Sequence, residues 1–528
     1  MYQTIVQAVL SHGEETPDKM AIGFQKTQVT YGQLCSQVKA MAVRLALEYG
    51  VQKGDFVMLQ GVSKPDYVVA YLAIQYLGAV SIPTDKAAKE ENILDVYRYT
   101  QPRVMLTDLP ITAGDVNMVS LEKLYEDVAA ETQEKGVEET EVSKAMPEKA
   151  GDVPEKMTGT FPAYTAPEAS AAAEILFTTG TTGKPKGTML SIGNIYASMH
   201  NTWHGVGMIT EDCVLIPLPL NHSLGMRVLR TALYIGASVV IQNGFTFAKE
   251  IDNNITEFSC TGMVSVPASM ELMYRQMRRH FQRIMGQLRY IEVGAGSLGY
   301  AMKKKLIEEI PNTRVVNTWG STETGGAIFL CIPEHPDKLT SLGHPIDTVE
   351  LKVIDTEGND ITEKARDIDS AGRMVLRGDM QMMGYYKMPE ATAEALVDGW
   401  LYTNDIIYTD EDGYVYMLGR ADDIINVGGE KVSPLEVENV AQEFEEIREC
   451  ACIGIKDPDD VLGQIPVLFV VPENKEFHPE LLTRFMSARV EKYKLPLRFE
   501  IIEELPRNRM QKLNRKELHR MWDEKYGK

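Results

Sequence analysis

The amino-terminal third alternates helical and extended patterns, and that alternation restricts the possible folds more than any other feature. Thr30 and Gln33 stand at capping-box spacing, and Leu34, Val38, Met41 and Leu45 then recur at helical intervals until Gly50 offers a stop. Phe56-Val-Met-Leu59 reads as a strand, a helix is expected from about Asp66, and Ala79-Val-Ser-Ile82 reads as the next strand. Such alternation favours parallel pairing with helices on the sheet faces, so an α/β layered fold is predicted. The pattern breaks over 131–170, where Glu, Lys, Pro and Thr dominate and no aromatic residue appears until Phe161. That stretch reads as an exposed, flexible insertion. The α/β pattern resumes to about Gly320, a β-rich stretch with Gly and Asp turns runs from Leu342 to about Gly419, and mixed strands and helices follow from Ala421. A charged helix is expected from about Asn514.

Bulk properties exclude several function classes. At 528 residues the chain has room for several domains, and its 44% hydrophobic content suits a globular protein. A formal charge of -21 would repel a polyanion, so nucleic acid is not the expected partner. The start, MYQTIVQAVLSHGEETPDKM, lacks the basic and then apolar regions of a secretory signal. The longest apolar-rich run, Tyr67 to Pro83, is broken by Gln75 and is shorter than the ~20 residues a membrane span needs. Six dispersed cysteines, with Cys450 and Cys452 the one close pair, match neither a zinc nor a thioredoxin spacing, and reduced thiols in a cytoplasmic protein are expected.

The stretch Leu176–Leu190, LFTTGTTGKPKGTML, crowds threonine, glycine and lysine behind a short apolar run. Glycines free backbone N–H groups to face phosphate oxygens, and lysine supplies charge. A Walker A loop is excluded, because Pro185 follows Gly180 and Thr188 follows Gly183 where that motif needs its second glycine. With Glu174-Ile-Leu-Phe177 feeding it as a strand, the loop reads as a phosphate site of another kind.

Further segments turn this hint into a constellation. In order come PLPLNHSLG with His222, YIEVGAGSLG with Gly294-Ala295-Gly296, VVNTWGSTETGG with Thr322 and Glu323, the long run DGWLYTNDIIYTDEDGYVYMLGRADDIINVGGEKVSPLEVE, and ELPRNRMQKLNRKEL with Lys512. Together these resemble the adenylate-forming superfamily, which comprises acyl-CoA synthetases, peptide-synthetase adenylation domains and luciferases. The resemblance covers nearly the whole chain apart from the insertion and the extreme termini. It implies a large N-terminal α/β domain over 1–420, with layered sheets and a small β-barrel-like part, followed by a small mobile α+β domain over 421–528.

It also implies roles. Thr178, Thr179, Gly180, Thr181, Thr182 and Lys186 match the phosphate loop that would hold ATP, and Thr179 stands where many relatives have serine. Glu323 matches a magnesium-associated glutamate, with Thr322 bonding phosphate or the acid; magnesium takes only one or two protein carboxylates. Gly294, Ala295 and Gly296 resemble the segment against which adenine lies. Asp405 and Arg420 resemble ribose contacts, and Asn404 replaces a glycine common before that aspartate, a change expected to alter the loop more than the chemistry. Lys512 resembles the lysine that stabilises negative charge developing during adenylation, although Gln511 occupies a usual glycine position. Asp422 matches the hinge about which the small domain turns between two half-reactions, and Gly428 and Gly429 would flank the entry of coenzyme A.

For the acid, His222 and Gly225 resemble acyl-pocket positions. Gly320 stands where acetate-activating relatives carry a tryptophan plug, so an open pocket for a medium- or long-chain fatty acid, or an aryl acid, is expected. The predicted function is an ATP-dependent acyl-CoA ligase. Rival readings are a ligase that loads a carrier protein in trans and a non-catalytic nucleotide-binding regulator.

Overall fold

The computed structural model describes residues 3–112, 114–134, 164–178, 186–245, 247–296, 298–458, 461–474, 477–507 and 512–526. The chain divides into two compact units that cut across the boundary predicted at 420. The first comprises Met1–His200, Met208–Gly244 and Met382–Lys387; the second comprises Asn201–Gly207, Phe245–Gln381 and Met388–Lys528.

In the first unit, the predicted capping box forms: Gln33 N donates to Thr30 Oγ1 at 3.3 Å and Thr30 N to Gln33 Oε1 at 2.9 Å, opening the helix Tyr31–Leu47. The strands Phe56–Gln60, Val80–Thr84 and Val104–Thr107 pair in parallel, as the alternation required. The helix between the first two runs from Pro65 to Tyr76, and all of it from Pro65 to Gln75 is buried. Its apolar residues lie all round, so it has no polar face to give to water and becomes a core layer. On the other flank of Val80–Thr84 lies Ala172–Thr178, followed by Lys186–Ser191 antiparallel to it and by Gly384–Tyr385 antiparallel to that. The same unit holds a second group of strands, Thr27–Thr30, Met20–Phe24, Ser238–Ile241 and Cys213–Ile216, parallel from Met20–Phe24 onward. Of the predicted insertion over 131–170, residues 135–163 lie outside the described residues. The helix Leu121–Glu134 takes its first residues, and Tyr164, whose hydroxyl lies 2.6 Å from Thr4 Oγ1, packs beside Tyr76.

The second unit begins with parallel strands Gly262–Ser265, Tyr290–Val293 and Arg314–Ser321, onto which Gly325–Cys331 folds back antiparallel. The β-rich stretch forms an antiparallel sheet of Glu350–Ile354, Gly372–Arg377, Trp400–Thr409, Val415–Arg420 and the short Leu396–Val397. Beyond it, Ile447–Lys456, Gln464–Pro472 and Arg498–Ile501 make a small sheet with helices. One core around Cys450, Cys452, Leu468, Leu482 and Met486 and another around Ile453, Val467, Phe469, Leu518 and Trp522 use alternate residues of the same strands, so both faces are covered. The last helix, Arg515–Tyr526, starts one residue past the expected Asn514. All six cysteines are free and buried. No helix among the described residues is long and apolar enough to cross a membrane.

Candidate active site

Most of the predicted site residues in the second unit gather at the end of the strand Arg314–Ser321. Val315 to Thr318 are buried and anchor it in the sheet. Between Trp319 and Gly320 its pairing with Gly325–Cys331 shifts register, and a turn follows. Ser321 N donates to Thr324 Oγ1 at 3.0 Å and Glu323 N to Ser321 Oγ at 3.1 Å, which fixes the turn and leaves Thr322 and Glu323 half-buried at its tip. A Cβ at Gly320 would lie 2.0 Å from Gly325 O. The close approach of the Gly325 carbonyl calls for a glycine here independently of the expected acyl pocket.

Asp405 lies on Trp400–Thr409 directly opposite Arg420 on the neighbouring strand. Its carboxylate accepts the Trp319 indole N–H at 3.1 Å. Only 9% of Asp405 is exposed, and burial pushes its carboxyl above the ordinary value, while Arg420, the Trp319 N–H and Lys512 oppose that rise. Lys512 is accessible to solvent, yet surrounding protein lowers its ammonium pKa by desolvation; Arg420 adds to the lowering, and Glu323 and Asp405 oppose it. Thus Glu323, Asp405, Arg420 and Lys512, spread over 190 positions of sequence, interact electrostatically.

Gly294, Ala295 and Gly296 leave the carboxyl end of Tyr290–Val293, the parallel neighbour of the strand that carries Trp319. Ala295 has φ +65°, a turn conformation, and open α/β sheets bind ligands at this end of their strands. Asp422 sits in a turn whose Ala421 N donates to Asn404 O at 2.8 Å, and Asn404 Nδ2 donates to the Asp422 carboxylate at 2.9 Å. Asn404 thus acts on the loop, as its position before Asp405 suggested. Gly428 and Gly429, φ +62° and +98°, are the central residues of a tight hairpin joining Ile425–Val427 to Glu430–Val432.

The remaining predicted residues belong to the first unit. Thr178 ends one strand opposite Lys186, which starts the next; Thr179, Gly180, Thr181 and Thr182 lie outside the described residues. The Lys186 ammonium stands 5.0 Å from the centre of the Tyr385 ring. His222 is half-buried and precedes the helix Ser223–Tyr234 without a side-chain cap. A Cβ at Gly225 would lie 2.6 Å from Pro219 O, so that glycine, too, answers to a close backbone approach. Trp319 is the residue that reading the sequence passed over. An indole N–H at the half-buried end of a strand needs an acceptor, and that was the available signal.

Comparison with known proteins identifies the family. The family model described as AMP-binding enzyme matches residues 10–386, and the AMP-binding enzyme C-terminal domain matches 436–512. A 2-succinylbenzoate–CoA ligase of Bacillus pumilus is 30% identical over 505 residues, 95% of either chain. The structure of o-succinylbenzoate CoA synthetase from Bacillus subtilis with its acyl-adenylate intermediate superposes with a TM-score of 0.81 at 25% identity, covering 97% of both chains. The same enzyme with ATP and magnesium gives 0.80 at 25% identity, over 97% of this chain and 99% of that one. The strand-end cluster stands in a chain matched along most of its length, and the chain belongs to the AMP-binding enzyme family.

Proposed function

We propose that this protein is an AMP-forming acid–CoA ligase whose acid is aromatic. The observation that carries the chemistry is that Arg420 pairs opposite Asp405, with Lys512 close enough to Asp405 and Glu323 to feel both charges. The choice of an aryl over a fatty acid is supported by the relatives, which are 2-succinylbenzoate–CoA ligases.

In the first half-reaction an acid oxygen attacks the α-phosphorus of ATP, and the bond to the β-phosphate oxygen breaks as pyrophosphate leaves with the electron pair. Two anions must approach, so fixed positive charge matters more than any proton transfer. Lys512 supplies a point charge to the oxygens on which negative charge grows. Asp405 and Arg420 hold the ribose, and residues 178–186 hold the outer phosphates. In the second half-reaction the coenzyme A thiolate attacks the acyl carbon and AMP departs; the Gly428-Gly429 hairpin flanks the path of the thiol arm, with Asp422 at the hinge between steps. Among the described residues no group of three His, Cys, Asp or Glu could hold a metal unaided. A half-buried single carboxylate, Glu323, fits a magnesium ion that arrives on the nucleotide's phosphates and neutralises part of their charge.

The test is pyrophosphate release across a panel of carboxylic acids with ATP and coenzyme A present. Turnover is expected with benzoates bearing an acidic side arm, well above that with straight-chain acids of eight to sixteen carbons. Preference for the straight chains would overturn the aryl assignment. Turnover that needs a phosphopantetheinylated carrier protein would overturn the acceptor, and no acid-stimulated ATP–pyrophosphate exchange at all would overturn the enzyme reading.

A further inference from the structure

We propose that Trp319 is a positioning residue for the nucleotide's sugar: its indole N–H holds in place the Asp405 carboxylate that the ribose hydroxyls bond. This deepens the proposed function and rests on reading Asp405 as the ribose contact.

The argument starts from what Asp405 must do. A carboxylate accepts hydrogen bonds at two oxygens with about four lone-pair directions, enough for two sugar hydroxyls and one protein donor. Only 9% of Asp405 is exposed, and burial, joined by the nearby Asp423 carboxylate, drives it toward the protonated acid, which accepts less well and carries a proton of its own. Three groups oppose that drift: Arg420, Trp319 and Lys512. Arg420 and Lys512 are solvent-exposed ends of long, flexible side chains, so their influence is screened and their positions vary. Trp319 is different. It is half-buried at the end of a strand whose preceding four residues are buried, and its N–H reaches Asp405 Oδ2 at 3.1 Å. A rigid ring on a rigid strand is the one member of the set that can hold a carboxylate's orientation as well as its charge.

The backbone beside the ring is irregular. Trp319 pairs with Ile328 and Gly320 with Gly326, so the extra residue at the register shift, Ala327, lies on the partner strand Gly325–Cys331. Gly320 stands so near Gly325 O that a Cβ would lie 2.0 Å away. Gly320 allows this close approach of the two strands, and the residue before it on the same strand end carries the indole that bonds Asp405.

The experiment compares dissociation constants of ATP and 2′,3′-dideoxy-ATP, which do not depend on the acid's identity, for the wild-type protein and Trp319→Phe. Phenylalanine keeps an aromatic ring and removes the N–H. For ATP the variant should bind about tenfold more weakly, the loss expected for a hydrogen bond to a charged group. For the dideoxy nucleotide, which cannot use the carboxylate, it should bind within about twofold of wild type. The acid limb of kcat/KM for ATP should also move to higher pH, because the variant's Asp405 has lost a group that keeps it ionised. In an Asp405→Asn background, Trp319→Phe should add nothing to the loss of sugar discrimination. Equal weakening for both nucleotides, or an unmoved limb with unchanged ATP affinity, would overturn the role of Trp319. A wild-type protein indifferent to the sugar hydroxyls would instead overturn Asp405 as the ribose contact, a separate failure.

Discussion

Two lysines illustrate how position decides what one side chain does. Lys303, 4% exposed, donates to Leu339 O at 2.7 Å and Ser341 O at 3.0 Å, with no carboxylate, and burial lowers its pKa to about 7. The folded protein therefore gives up this proton near neutrality while the unfolded chain keeps it to about 10.5. Stability from this group rises with pH across that interval. Lys303→Met should flatten that rise in urea midpoints taken between pH 6 and 9. It should also destabilise by about 1–3 kcal/mol, because the two carbonyls lose their donor. Lys512 is lowered too, but among Arg420, Glu323 and Asp405. Its ammonium should be lost below the usual lysine range, giving kcat/KM for adenylation an alkaline limb that Lys512→Arg pushes upward. Lys512→Ala should cripple adenylation and spare thioester formation from supplied acyl-adenylate. Equal loss in both steps would show that the lysine serves something other than the first.

At the scale of elements, the first unit is pinned by a buried ion pair. Arg230 on Ser223–Tyr234 donates to Glu174 Oε1 on Ala172–Thr178 at 3.0 Å and to the Tyr71 hydroxyl on Pro65–Tyr76 at 3.2 Å. Both charged side chains are almost completely buried, and Glu174 Oε2 and Arg230 Nε have no partner among the described residues. Removing one charge strands the other in low dielectric. Arg230→Met should destabilise by about 3–5 kcal/mol in denaturant unfolding, and Arg230→Met with Glu174→Met should recover most of that, since a buried pair adds little net stability over apolar replacement. A double variant no better than the single would show that the pair is needed for more than neutralisation. The elements carrying these residues were largely legible: the Tyr31–Leu47 cap and the strands at 56 and 80 follow from local spacing. The charge pairing was not, because Tyr71, Glu174 and Arg230 are over fifty residues apart in succession.

Over the whole molecule, the C-terminal segment is held within the second unit by partly exposed charges. Arg275, on the helix Pro267–Met277, bonds Arg448 O at 3.4 Å and lies 3.8 Å from Glu449, which also pairs with Arg507 at 2.7 Å. Exposed pairs of this kind contribute about 0–1 kcal/mol each, enough to bias a docking equilibrium without fixing it. Glu449→Gln should leave the unfolding midpoint nearly unchanged. If the segment turns about Asp422 between half-reactions, the substitution should lower the adenylation rate relative to thioester formation. An unchanged ratio of the two rates would remove this contact from the cycle.

The sequence by itself determined the layered α/β class, the β-rich stretch after Leu342 and the mixed strands and helices after Ala421. Each rests on local periodicity or on short ordered segments, and neighbouring residues carry that information. Only the tertiary structure decided that Gly320 answers to Gly325 O, that Asn404 bonds Asp422, and that Trp319 reaches Asp405 across 86 positions of chain. Those facts depend on where a bulge falls and which strand end lies beside it. Register and packing between distant segments set them, and no local pattern encodes either.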